Sequence, residues 1–88
     1  MVKRYAKKHV VVEAIQWTGC NFDEIQEFVG VGNAYFLRYM TAPPEVYIHT
    51  PEGAEYASIG DYIIKFTDCE IRTCGAGFFE SNYEEATE

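Results

Sequence analysis

Residues 9–17, HVVVEAIQW, decide the fold class. Read with the two-residue period of a strand, Val11, Glu13, Ile15 and Trp17 share one face and Val10, Val12 and Ala14 the other. Both faces are mostly apolar, which predicts a central strand. The rest of the chain carries the same bias. Leu37 is the only leucine, against seven valines, seven isoleucines and fourteen aromatic residues. β-branched and aromatic side chains suit a pleated surface better than a helix, so a sheet should dominate.

Past this strand, Asn21-Phe22-Asp23-Glu24 has the shape of a capping box, with Asn21 as N-cap and Glu24 three residues on. Phe22, Ile25, Phe28 and Val29 recur at helical spacing and Gly30 supplies a stop, so a helix is predicted over 22–29. Strands follow at 34–40 and 46–50 across the Pro43-Pro44 break. The turn chemistry of Pro51-Glu52-Gly53 makes Tyr47–Thr50 and Ala54–Ala57 a hairpin. Gly60-Asp61 is a further turn before a strand at 62–66. A bend at Thr67-Asp68 leads into a strand at 69–74, and Gly75-Ala76-Gly77 breaks it before a short terminal helix or turn at 78–84.

The expected fold is α+β. One N-terminal helix packs on a strongly bent, mainly antiparallel sheet of about five to six strands, small and barrel-like. The 88 residues make a single domain, with a basic N-terminal arm at 1–8 and a frayed acidic tail at 85–88. A domain this small buries only about 60% of its unfolded surface, so homo-oligomerisation is a natural way to bury more.

Net charge is −7, unevenly placed. Lys3, Arg4, Lys7 and Lys8 stand at the start, whereas beyond residue 8 only Arg38, Lys65 and Arg72 face fourteen acids. Such a body repels a nucleic-acid backbone, whose binding requires many neutralised phosphates. The longest apolar run, around Val10 to Val12, is far short of the roughly 20 residues that span a bilayer. The start lacks the apolar stretch of a secretory signal. Three cysteines, Cys20, Cys69 and Cys74, an odd number, fit a reducing, cytoplasmic setting.

No catalytic or metal constellation stands out, and no cofactor is expected. His9 and His49 lie on separate predicted strands, and Cys69 and Cys74 have a poor spacing for metal. Gly30-Val31-Gly32 follows a helix instead of opening one, so it is a connector and not a phosphate loop. Cys74 with His49 as base is the only nucleophile arrangement to weigh, and a small buried cysteine is the commoner reading.

Binding features are richer. Trp17, Tyr35, Tyr39, Tyr47, Tyr56, Tyr62, Phe66, Phe78, Phe79 and Tyr83 exceed what so small a core can hide, and tyrosine favours interfaces. Arg38, Lys65 and Arg72 lie on separate predicted strands; converging, they would suit a small anionic, stackable ligand. The plainer alternative is that they are the ordinary solvent face of each strand. The candidate ligand-binding residues are Trp17, Arg38, Tyr62, Lys65, Arg72 and Tyr83.

The stretches KRYAKKHVVVEAIQWTGCNFDEIQEFVG, YIHTPEGAEYASIGDYIIK and CGAGFFESNYEE resemble a group of small phage and prophage proteins, the PGDYG-like group. Gln16-Trp17, Gly60-Asp61-Tyr62, Cys74, Phe79 and Tyr83-Glu84 carry the likeness in order, over nearly the whole chain except roughly 31–45. The chain departs from that pattern at Ile59, where proline is usual, at Gly75-Ala76-Gly77, and at Asn82, where threonine is usual. The resemblance implies a phage origin and the host cytoplasm, and no established activity.

Three functions fit these features. The first is a non-enzymatic accessory protein that sequesters a small nucleotide-like signal as a counter-defence measure. The second is an acidic protein-interaction inhibitor, mimicking nucleic acid or blocking a host protein through Glu52, Glu55, Asp61, Asp68 and Glu70. The third is a small nucleotide-cleaving enzyme.

Overall fold

The computed structural model describes residues 2–7, 10–38, 42–66 and 70–85, with residues 4–7, 10–11 and 84–85 described through their backbone alone. The expectations for His9, Tyr39, Met40, the Thr67-Asp68 bend, Cys69 and the last three residues of the tail lie outside them. In chain order the elements are β1 (Lys3–Lys7), β2 (Val10–Gln16), α1 (Phe22–Val29), β3 (Ala34–Leu37), β4 (Glu45–Thr50), β5 (Gly53–Ala57), β6 (Tyr62–Lys65), β7 (Ile71–Cys74), α2 (Ala76–Asn82) and β8 (Glu84–Glu85). They form a five-stranded sheet in the order β7-β6-β2-β1-β8 and a three-stranded sheet in the order β3-β4-β5, antiparallel throughout.

The α+β class holds, but the single bent, barrel-like sheet with one helix does not. β2 explains why. Its alternate residues are buried on opposite sides, Ile15 and Trp17 in one core cluster and Val12 and Ala14 in another. A closed barrel would leave one of those faces to water. Instead the five-stranded sheet is covered on both sides, giving three layers. On one side lie α1 and the three-stranded sheet, which contribute Ile25, Phe28, Val46, Ile48 and Ala57. On the other lies α2, which contributes Phe79. β6 alternates in step: Ile63 faces the first core, Tyr62 and Ile64 the second. β2 is thus central, as its composition predicts.

The helix over 22–29 and the hairpin at Pro51-Glu52-Gly53 form where expected, the latter with Thr50 opposite Gly53. The capping box does not. Asn21 takes the N-cap position, and its carbonyl accepts from the Ile25 amide at 3.1 Å. Its side chain turns backward, accepting from the Thr18 amide at 3.0 Å and donating to the Gln16 carbonyl at 2.8 Å. An Asx-type local bond competes here with the cap and wins. The basic start is no free arm either, since Lys3–Lys7 pair along β2 from Lys3 opposite Ala14 to Lys7 opposite Val10.

The two sheets meet at the edges of β5 and β7 without a shared ladder. Glu55 Oε1 accepts from the Thr73 amide at 3.1 Å and lies 3.0 Å from its hydroxyl. A side-chain carboxylate therefore occupies an edge amide that a neighbouring strand would otherwise satisfy. Between the sheets, Gly60 at φ +99° allows the sharp turn into β6, and Asp61 Oδ2 accepts from the Ser58 amide at 2.9 Å. Among the described residues, no helix is long and apolar enough to cross a membrane.

Candidate ligand cleft beside the second helix

β7 alternates as β2 does. Arg72 pairs with Ile64 and Cys74 with Tyr62, so both side chains stand on the α2 side of the sheet. The chain then turns at Gly75 and α2 begins at Ala76. Adjacent phenylalanines divide the labour: Phe79 is 1% exposed in the core, while Phe78 is 61% exposed at the surface. The Asn82 side chain donates to the Phe78 carbonyl at 2.8 Å and closes the helix end. Tyr83 returns toward the sheet and stacks on Phe79 at 4.8 Å, and Phe79 in turn stacks on Tyr62 at 4.0 Å.

Between β6–β7 and α2 this leaves a cleft of about 430 Å³, walled by Phe66, Phe78 and Tyr83, with Arg72, Glu70 and Cys74 among its polar groups. That volume lies in the range of small-molecule sites. Arg72 donates from Nε to Glu70 Oε2 at 2.7 Å, and its Nη2 is 2.7 Å from the same oxygen. A guanidinium carries five N–H donors in a planar fork, so this pairing fixes the plane of the group and leaves donors over. The hydrogen bond and charge of Glu70 raise the Arg72 pKa further, so it is a permanent cation. Burial pushes the Cys74 thiol above its usual range, and the Asp61 carboxylate adds to the rise. Burial likewise raises the Tyr83 phenol, with Cys74 contributing. A thiol so placed is a poor nucleophile at neutral pH. His49, the base considered for it, is exposed on the outward side of the three-stranded sheet and does not line the cleft that holds Cys74.

The six residues singled out from sequence do not form one site. Trp17 is buried, donating from Nε1 to the Pro44 carbonyl at 3.1 Å, and borders a different hollow, lined by none of the other five. Tyr62 is 9% exposed, lies under Phe79, and donates its hydroxyl to Glu80 at 3.3 Å. The three cations stand apart. Lys65 sits on the α1 side with Nζ 4.7 Å from the Phe28 ring centre. Arg38 stands over Phe36 at 5.7 Å, beyond the end of β3. Arg72 and Tyr83 alone of the six line the cleft. Sequence reasoning counted Phe66 and Phe78 among the surplus rings and weighed Cys74 as a nucleophile, but placed none of the three in the binding set. Phe78-Phe79 held a usable signal, because neighbours on a helix cannot both face the core.

A second hollow, of about 390 Å³, lies beside Trp17 and is lined by Phe22, Phe36, Asp23 and Glu24. Its two carboxylates oppose an anion, so chemistry rather than size separates it from the α2 cleft. Of the acids expected to form an interaction face, Glu55, Asp61 and Glu70 are engaged with Thr73, Ser58 and Arg72. Asp68 lies outside the described residues, and Glu52 is exposed. Among the described residues, no three His, Cys, Asp or Glu side chains group in a way that would hold a metal ion.

No protein-family model matches the chain, and neither a curated protein nor a solved structure shows significant similarity to it.

Proposed function

We propose that this protein binds and sequesters a small, planar, anionic molecule of the nucleotide class in the α2 cleft, without catalysing its turnover. One observation carries the reading: Arg72 meets the aromatic walls Phe66, Phe78 and Tyr83 around an open hollow of about 430 Å³. Stacking on the rings would hold a base, and the guanidinium would hold a phosphate through charge-assisted bonds. The likeness to phage proteins supports a setting in the host cytoplasm, where removing a signalling nucleotide would blunt a defence response. With one cation at the cleft instead of three, recognition rests more on ring area than on charge.

Isothermal titration of the whole protein against cyclic nucleotides, ADP-ribose derivatives and inorganic phosphate tests this. Heat is expected with a base-bearing ligand and none with phosphate alone. Arg72→Ala should weaken binding by about tenfold or more, as loss of a charge-assisted pair of about 1.5–3 kcal/mol implies. A folded sample that gives no heat with any of these ligands, or unchanged affinity in Arg72→Ala, would sink the proposal.

A further inference from the structure

The outer face of the three-stranded sheet carries a row of tyrosines that the α2 cleft does not use. Antiparallel register sets Tyr35 opposite Tyr47 and Tyr47 opposite Tyr56. Their ring centres are 5.7 Å and 5.2 Å apart, tilted by 46° and 58°. Tyr35 is 52% exposed and Tyr56 54%. Beside the row, Tyr35, Leu37, Tyr47 and His49 line a shallow groove of about 400 Å³. These rings do not serve the core. The inward positions of the same strands, Ala34, Val46, Ile48 and Ala57, already fill it.

We infer that this face is a docking site for a short proline-rich peptide with basic flanks, held in the polyproline II conformation across the three strands. Three physical features select that occupant. The first is spacing. Tyr35 and Tyr56 stand two strand separations apart, roughly 9–10 Å, and one turn of a polyproline II helix advances about 9.3 Å over three residues. Residues i and i+3 of such a peptide rest on the two outer rings, with Tyr47 beneath the turn between them. The peptide's backbone carbonyls have no internal partners, and tyrosine hydroxyls are there to donate to them.

The second is size. The face is about 10 Å across and about 13 Å along the strands. That is far below the roughly 800 Å² that each partner of a stable protein pair buries, so a second copy of this chain is not its occupant. A stiff peptide, ordered before it binds, loses little entropy and binds on a small footprint. The third is charge: the protein as a whole carries −7. Basic residues flanking the prolines complement that field and speed encounter.

The test uses the whole protein and three synthetic peptides: repeated Pro-Pro-Arg, repeated Gly-Gly-Arg and repeated Pro-Pro-Glu. Binding is read by titration calorimetry and by shifts of the tyrosine ring resonances. Pro-Pro-Arg should bind at least about tenfold more tightly than either control. Tyr47→Ala should weaken it about tenfold, as for an aromatic anchor at an interface. Tyr56→Ser, at the more exposed rim, provides a second variant should Tyr47→Ala disturb the sheet, and should weaken binding severalfold. Equal binding of Gly-Gly-Arg or Pro-Pro-Glu, no binding of any peptide, or full affinity in both folded variants would overturn the inference. So would concentration-dependent dimerisation in sedimentation that Tyr47→Ala abolishes, since the occupant would then be a second copy.

Discussion

Replacing Phe79 with alanine should remove a large share of the domain's stability. The ring is 1% exposed and lies between two others, Tyr62 at 4.0 Å and 17° and Tyr83 at 4.8 Å and 13°. Buried phenylalanine truncated to alanine costs roughly 3–5 kcal/mol, and each aromatic pair is worth about 0.5–1.5 kcal/mol beyond its area. The upper part of the range, about 4–5 kcal/mol, is therefore expected. A domain of 88 residues has roughly 4–13 kcal/mol to lose, at about 0.05–0.15 kcal/mol per residue. In thermal unfolding followed by circular dichroism, the midpoint should fall by at least about 16 °C, at roughly 4 °C or more per kcal/mol. Phe79→Leu retains most of the apolar bulk while removing both stacks, and should cost about 1–2 kcal/mol. The adjacent Phe78, 61% exposed on the same helix, supplies the control: Phe78→Ala should change stability by about 0.5 kcal/mol or less. A Phe79→Ala loss below about 1 kcal/mol, or one no larger than that of Phe78→Ala, would refute the seating of α2 on the second core.

Two further outcomes follow from the sheet edges and the cleft. Glu55→Ala removes the acceptor of the Thr73 amide and should cost about 1–2 kcal/mol in urea unfolding, whereas Glu55→Gln, which retains an acceptor, should cost less than about 1. Cys74 and Tyr83 both have folded-state pKa values raised by burial, so the unfolded chain loses these protons first as pH climbs. Their stabilising effect is complete below the unfolded values, about 8.5 for a thiol and 10 for a phenol, and is lost as pH rises through the folded ones. The melting temperature should therefore decline above about pH 9, and Cys74→Ala should flatten the first part of that decline; an equal slope in the variant would assign it elsewhere.

Local elements were legible because each rested on a short-range rule. The 3.6-residue spacing of Ile25 and Phe28 and the turn chemistry of Pro51-Glu52-Gly53 need no knowledge of the rest of the chain. The division into two sheets was not legible, since it depends on Glu55 reaching Thr73 eighteen residues away. The clue that pointed beyond a barrel was β2 itself, apolar on both faces and so in need of two covers. The basic start read as an arm because four cations in eight residues mask a strand whose partner, β2, supplies the register. The cleft was half legible. Arg72 and Tyr83 line it, but Trp17 and Tyr62 were drawn inward by the cores their strands needed.

The surplus of rings has a different meaning from the one that counting suggests. Trp17, Tyr62 and Phe79 are interior, yet Tyr35, Tyr56 and Phe78 remain at least half exposed, and they lie on surfaces backed by different cores. β2 and β6 form the partition. An aromatic residue on one side of it cannot assist a cation on the other, which is why Lys65 over Phe28 and Arg72 beside Phe78 do not combine into a single anion clamp. If the two surfaces bind as proposed, each would recognise its ligand with several rings and little charge. For the nucleotide proposed for the α2 cleft, that would favour breadth of stacking over number of phosphates. Ligands that differ only in phosphate count should differ less in affinity than ligands that differ in the size of the base.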